Sequence, residues 1–362
     1  MLRKIFLVTI SIWLILNSCN SNPVIPPEIQ PGRRDYVWEI DTLDMPMNWL
    51  SSIWGSSPQD VWAVGAGGTE YDRLWHYDGS KWSAYKKEWI NIGGETLYGF
   101  SANDVWMGGS GGWGDGQGAA AIWHYDGSKW SKNFVYNVEG AYRSEVDDIW
   151  GDRPDDIYAC GTIGYLVDGK DVWRGFILYY NGSTWKEIIK ADFNSQFLTI
   201  RKEQNIIFNK VYVFALRTSQ IASDTVSFYE LKLDSNEIKE IYSAPESQIV
   251  FGNIHYINGK VYFLIGQDVY RYIIGSFVKQ FSLAYPNFGY QFYGRNVKDI
   301  FLRMRDGLAH YNGTDIEYLY TFPLNLVSII KEPMMFEKEI FFMLHDNTGG
   351  PKENLILHGK LK

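Results

Sequence analysis

Two cysteines in 362 residues are too few for a disulfide framework, and Cys19 and Cys160 lie so differently in the chain that a bridge between them is not expected. Basic clusters are lacking too. Lysine and arginine number 34 against 42 acidic residues, a net charge of -8 that becomes -10 without Arg3 and Lys4, which disfavours nucleic acid or an anionic lipid surface as a partner. The apolar run at residues 5–16 is too short to span a bilayer comfortably. Charged residues make up only 21% of the chain, while hydrophobic residues reach 46% and aromatic residues 17%, which argues against disorder and leaves ample material for one large core.

What is present begins with a leader. Arg3 and Lys4 precede the apolar run, the order of a signal peptide. It ends in Leu16-Asn17-Ser18-Cys19, which resembles the bacterial lipobox, where a cysteine is acylated and becomes the mature N-terminus. Two readings stand, a lipoprotein and a secreted protein with a chance cysteine, and position, apolar core and cysteine agree on the first. Two or three acyl chains, at about 0.8 kcal/mol per buried CH₂, would hold the protein stably on a membrane. The expected division is a signal peptide at 1–18, a Pro-rich extended tether at 19–34 and a folded domain at 35–362, placed at the bacterial cell envelope and most simply on the outer membrane.

The folded part repeats. Residues 53–65 read Ile-Trp-Gly-Ser-Ser-Pro-Gln-Asp-Val-Trp-Ala-Val-Gly, and residues 74–82 read Leu-Trp-His-Tyr-Asp-Gly-Ser-Lys-Trp. Together they predict four short strands, with Asp60 capping the second and Asp78-Gly79 turning the third into the fourth. Tyr98-Gly99, Asp104 and Trp123-His124-Tyr125-Asp126-Gly127 repeat the unit, as do Trp150-Gly151, Asp156 and Tyr179-Tyr180-Asn181-Gly182. Later copies keep the rhythm with fewer of the letters. Markers at 60, 104, 156, 210, 260, 299 and 339 lie 39 to 54 residues apart, the period of a four-stranded propeller blade. Seven markers predict an all-β, seven-bladed β-propeller. The last unit runs out after its third strand, while residues 37–40, Val-Trp-Glu-Ile, resemble the fourth strand of unit three, so the N-terminal segment is expected to complete the last blade.

These residues resemble the secreted and lipid-anchored bacterial propellers that carry Ile-Trp-Gly-x-Ser-x-x-Asp-Val-Trp-Ala-Val-Gly and His-Tyr-Asp-Gly-x-x-Trp repeats, a group loosely near the Asp-box and kelch propellers. The resemblance implies a fold and no particular activity. The sialidase Asp-box has a residue between Asp and Gly, whereas Asp78 is followed directly by Gly79, so sialidase chemistry does not carry over.

Residues in the repeat have structural readings. His76, His124 and His310, with His358 as a fourth, sit in third strands away from the axis and are not expected to hold a metal. The repeated Asp60, Asp104, Asp156 and Asp299 each belong to their own turn, and the tryptophans are expected between blades. Cys160 stands where Val64 stands and reads as a small buried hydrophobe. What does not repeat is the connection from the second to the third strand, long in units one, two, three, four and seven, which predicts a raised crescent on one face. Tyr71, Asp72, Trp113, Asp115, Tyr165, Asp168, Trp173 and Arg174 lie in it, with Asp171 nearby, and aromatics beside carboxylates suit a sugar ring. The same segments also read as flexible insertions. No cofactor or metal site and no catalytic residue can be named. A binding module for a glycan or an envelope protein is the favoured function, and a polysaccharide hydrolase or lyase, which needs paired carboxylates at the channel mouth, is the alternative.

Overall fold

The computed structural model describes residues 28–43, 48–67, 73–112, 114–116, 118–204, 210–217, 224–245, 252–322, 326–329, 331–346 and 354–362. The expected leader, Cys19 and most of the expected tether therefore lie outside the described residues. Pro31–Lys362 forms one compact unit. Within it, strands assemble into seven antiparallel sheets, and no helix occurs among the described residues.

Each sheet is a blade, and in six of the seven the strands a, b, c and d are met in sequence order. Blade 1 comprises Asn48–Ser57, Asp60–Gly67, Leu74–Tyr77 and Trp82–Ala84; blade 2 comprises Ile92–Ser101, Asp104–Gly111, Ala120–Tyr125 and Trp130–Tyr136. Blade 3 comprises Arg143–Arg153, Asp156–Val167, Lys170–Tyr180 and Trp185–Lys190. Blades 4, 5 and 6 begin with Gln196–Glu203, Gly252–Ile257 and Phe288–Asn296. In blade 7 strand a is split into Leu326–Ile329 and Met334–Met335, followed by Glu339–Asp346, Asn354–Leu361 and, as strand d, Tyr36–Leu43 from the other end of the chain.

Seven apolar clusters, one at each junction between neighbouring blades, hold the ring together. Their chemistry explains the repeated letters. Trp62 on strand b of blade 1 meets Tyr125 at 5.1 Å and Trp130 at 5.6 Å on blade 2. Trp106 repeats this toward blade 3, with Tyr180 at 5.0 Å and Trp185 at 5.6 Å. Across the closing junction Phe341 of blade 7 takes the tryptophan's place and meets Tyr77 at 5.6 Å and Trp82 at 6.4 Å. Such offset and edge-on aromatic pairs add specificity to the area they bury. Strand b must be apolar on both faces because it is covered by a blade on each side, and Val61, Trp62, Ala63 and Val64 are all buried.

The N-terminal strand closes the ring in the register that the sequence match implies. Trp38 pairs with Gly359, the position that corresponds to the Tyr77–Trp82 and Tyr180–Trp185 pairs of complete blades. A β-carbon at Gly359 would lie 2.4 Å from the Trp38 ring, so the blade gives up its tyrosine there and the indole lies over the glycine. Tyr36 fills the vacated space, stacked on Trp38 at 5.2 Å and edge-on to Phe301 at 5.8 Å. The residues just before this strand are pinned as well. Gly32 donates its N–H to the Lys298 carbonyl at 2.7 Å, and Arg34 donates to the carbonyls of His310 and Asp315 at 2.9 and 2.8 Å.

The repeated histidines and the carboxylates they face have one shared role, while Asp156, whose blade carries Tyr179 in place of the histidine, holds the Lys202 ammonium of blade 4. Asp60 reaches His76 at 2.7 Å, and the pairs Asp104–His124, Asp299–His310 and Glu339–His358 are each 2.8 Å apart. The carboxylate thus bonds across strands b and c, beyond the turn the sequence assigned it to. Blade 4 keeps the device with its parts exchanged, Lys210 against Glu230 at 2.7 Å. Burial works to raise the pKa of Asp60 and Asp299, yet the hydrogen bonds they accept, from His76 and Ser56 and from His310 and Arg295, prevail and lower both. Asx turns occur one connection later, where Asp78, Asp126, Asn181 and Asn312 accept the backbone N–H groups two and three residues on.

Candidate functional site

The a strands surround the axis, and their period of two sorts the channel wall into tiers. Pairing with strand b places Trp54, Tyr98, Trp150, Arg201, His255, Tyr293 and Met334 at equivalent heights. Two residues earlier on each strand stand Ser52, Thr96, Asp148, Thr199, Asn253, Gln291 and Glu332, and all seven of these polar residues line a cavity of ≈ 480 Å³. Below them the wall is aromatic, with Trp54, Tyr98, Trp150, Tyr256 and Tyr293. A ligand there meets hydrogen-bonding groups from every blade and ring faces beneath.

One side of the polar tier is acidic. On strand a of blade 3, a bulge between Val146 and Asp148 places both Asp147 and Asp148 on the cavity. Burial pushes the Asp147 carboxyl well up, repulsion from Glu145 adds to it, and a 3.0 Å hydrogen bond from Thr162 works against it. Burial likewise raises Glu95 on blade 2, with Lys331 opposing and Glu145 reinforcing. Asp148 instead holds the Arg201 guanidinium and accepts the Ile200 N–H at 2.9 Å. Arg201 also donates to Glu332 at 2.8 Å. Among the described residues no group of three His, Cys, Asp or Glu side chains is placed to hold a metal ion.

His255 shares the aromatic height but turns away from the cavity. It is buried, its ring lies 4.0 Å from that of Phe292, and neither ring nitrogen has a hydrogen-bond partner. Burial lowers its pKa to about 4, with Glu332 pulling it up and Arg201 pushing it down. Because the folded value lies below the ordinary one of about 6.5, the unfolded chain binds the extra proton between those values. Stability is therefore complete above pH 6.5 and falls by roughly 3 kcal/mol toward pH 4. His255→Phe is expected to flatten that part of the pH–stability curve measured by urea unfolding. An unchanged slope would assign the acid sensitivity to other groups.

The residues expected in the crescent are placed unevenly. Tyr71, Asp72 and Trp113 lie outside the described residues. Asp115 binds the Gly112 N–H at 2.9 Å and the Lys132 ammonium, so its carboxylate closes its own loop. The long connection in blade 3, expected as a loop, is a regular ribbon in which residue pairs run unbroken from Gly161 and Phe176 to Val167 and Lys170. Asp168, at φ 52°, and Gly169, at φ 73°, form its turn, and both positive angles suit a two-residue hairpin. Alternation puts Tyr165 and Arg174 on one ribbon face, where they line a shallow depression with Val172 and Lys190. The Trp173 ring falls on the other face, over Gly164 and 6.0 Å from Tyr142, and the Trp173 backbone N–H donates to the Asn194 side-chain oxygen. The ribbon tip exposes Leu166 and Val167.

The channel residues were not named from sequence, although a signal exists. Aligned on the aromatic-Gly pair, Ser51-Ser52, Glu95-Thr96 and Asp147-Asp148 occupy the same two positions, and the double aspartate is the departure.

No protein-family model matches the chain, and no curated protein matches it. Solved propellers do. The chain is similar to YCF48 bound to D1 peptide, at TM-score 0.57 and 12% identity, over 92% of this chain and 100% of that one. It is similar to an inactive virginiamycin B lyase from Staphylococcus aureus with quinupristin, at 0.57 and 14%, over 90% and 100%. It also matches puromycin hydrolase at 0.53 and 8%, over 90% of this chain and 52% of that one. At such identities the likeness shows the seven-bladed propeller fold and nothing of activity.

Proposed function

We propose that this propeller is a binding module of the cell envelope, held to the membrane through acylated Cys19, whose ligand, a glycan or an extended peptide, enters the central channel. The observation that carries the reading is the ≈ 480 Å³ cavity with a polar side chain from each of seven blades above an aromatic wall. In that tier five neutral hydrogen-bonding groups, Ser52, Thr96, Thr199, Asn253 and Gln291, accompany the carboxylates of Asp148 and Glu332, which suits hydroxyls and amides. The blade 3 ribbon, with Tyr165 and Arg174 on one side and Trp173 on the other, supplies an outer surface on the face from which the a strands set out. If Cys19 is the anchor, Cys19→Ala should move the protein from the membrane fraction to the soluble one.

A second reading has its own observation. Raised pKa values at Asp147 and Glu95 around Glu145 are what a general acid requires, and they favour a polysaccharide-cleaving hydrolase or lyase. One experiment separates the readings. The protein is screened against glycan and peptide panels with product detection, and each hit is titrated against Thr96→Val, Asp147→Asn and Trp173→Ala. Channel binding predicts that Thr96→Val, which removes a hydroxyl while keeping the shape, weakens a hit about tenfold. Enzymatic action predicts product that vanishes in Asp147→Asn. Hits that respond only to Trp173→Ala would move the site to the ribbon, and hits indifferent to all three would sink the channel.

A further inference from the structure

Blade 7 differs from the others where it faces the axis. Its strand a is split, and both pieces pair with the same neighbour, Glu339–Asp346. From Ile329 to Met334 the chain advances five residues while its partner advances only three, from Leu344 to Phe341. The surplus is spent on the lumen. Lys331 adopts φ 43°, a left-handed conformation that costs a non-glycine residue free energy and persists only where its surroundings hold it. Lys331, Glu332, Pro333 and Met334 all line the cavity.

The strap reaches blades that are not neighbours of blade 7. The Lys331 ammonium donates to the Glu95 carbonyl on blade 2 at 2.8 Å, and the Glu332 carboxylate meets Arg201 on blade 4 at 2.8 Å. Arg201 divides its donors unequally. One terminal nitrogen serves Asp148 and the Ile200 carbonyl, and the Asp148 side chain is only 15% exposed. The other holds Glu332, whose side chain is 51% exposed while that of Arg201 is 7% exposed. A buried guanidinium nitrogen is thus capped by a carboxylate that water can reach. Removing that cap without replacement would leave a buried donor unpaired, which is costly.

We propose that Glu332 is a built-in placeholder for a ligand carboxylate, and that the channel binds molecules whose carboxylate displaces it from Arg201. The inference rests on the channel as the binding site and deepens it by naming the recognised group. The exchange conserves the ion pair. The incoming carboxylate takes the guanidinium nitrogen that Glu332 releases, Lys331 lies beside the same cavity, and the freed Glu332 is already half in water. A neutral ligand cannot make the exchange, because nothing then repairs Arg201. Uronic acids and peptide C-termini both offer the group.

The test uses the full chain and four probes, trigalacturonate and its methyl ester, and N-acetyl-Gly-Gly and its amide, titrated calorimetrically. The acid of at least one pair is expected to bind about tenfold tighter than its neutral twin, the scale of a charge-assisted hydrogen bond. Which pair responds identifies the source of the carboxylate. Glu332→Gln is expected to widen the preference for that acid over its neutral twin roughly tenfold further, since a neutral amide competes poorly for a guanidinium. Arg201→Lys, with its melting temperature as a check on folding, should abolish the preference for the acid. Channel ligands sensitive to Thr96→Val that show no preference for the acid, or a preference that does not widen in Glu332→Gln, would overturn the placeholder and leave the channel standing. Absence of any ligand sensitive to Thr96→Val would overturn both.

Discussion

A chain lacking residues 36–43 is expected to aggregate rather than form a monomeric ring. The deletion removes eight backbone pairings to Asn354–Leu361 and takes Tyr36, Trp38 and Leu43 out of the junction clusters. It also bares an edge strand whose Leu355, Ile356 and Leu357 are otherwise buried, an invitation to pair with another copy. Whole domains are stable by only about 5–15 kcal/mol, so losing one strand of a closed ring is a large part of the total. Size-exclusion chromatography and thermal melting give the answer. A deletion that stays monomeric and melts with the parent would refute closure by first and last strands. Gly359→Val is the point version, because its side chain enters the space of the Trp38 ring.

The second large effect is expected at Trp106. Its indole is 2% exposed and joins blade 2 to Tyr180 and Trp185 of blade 3, so Trp106→Ala leaves a cavity that two rigid blades cannot collapse to fill. The expected cost is about 3–5 kcal/mol, a drop in melting temperature on the order of 10 °C. Trp173→Ala, on the ribbon, should cost less than about 1 kcal/mol, since that ring fills no junction between blades. Equal losses in the two variants would mean that the repeat position has no special packing role.

The fold was legible because the residues that lock blades together are few and large. Trp62, Trp106, Trp130 and Trp185 recur with the spacing of the strands that carry them, and Trp38 announces the closing strand by matching Trp185. In the later blades chemistry survives a change of letters, as in Lys210 and Glu230, and only the rhythm could be followed there. The channel was harder to see. Ser52, Thr96 and Thr199 are unremarkable strand residues, and what unites them is a common distance from an axis that exists only once the ring has closed. The length of the blade 3 insertion drew attention to Tyr165 and Trp173, but alternation in a regular ribbon sends them to opposite faces. A loop reading carries no such alternation, which is why the two were grouped.

The junction of first and last strands also sets the order in which this molecule can be made. Tyr36–Leu43 pairs with Asn354–Leu361, so the seventh blade cannot receive its outer strand until those late residues have been delivered. Six blades can acquire their own hydrogen bonds as they emerge, because each is built from consecutive strands. The strand made first must wait, and contacts between such distant positions form slowly. During that interval the exposed rows of two strands, Tyr36–Leu43 and Asn354–Leu361, are complementary to each other and to those of any second copy nearby. Pairing with a second copy therefore competes with closure during this interval, and refolding yield should fall steeply as protein concentration rises.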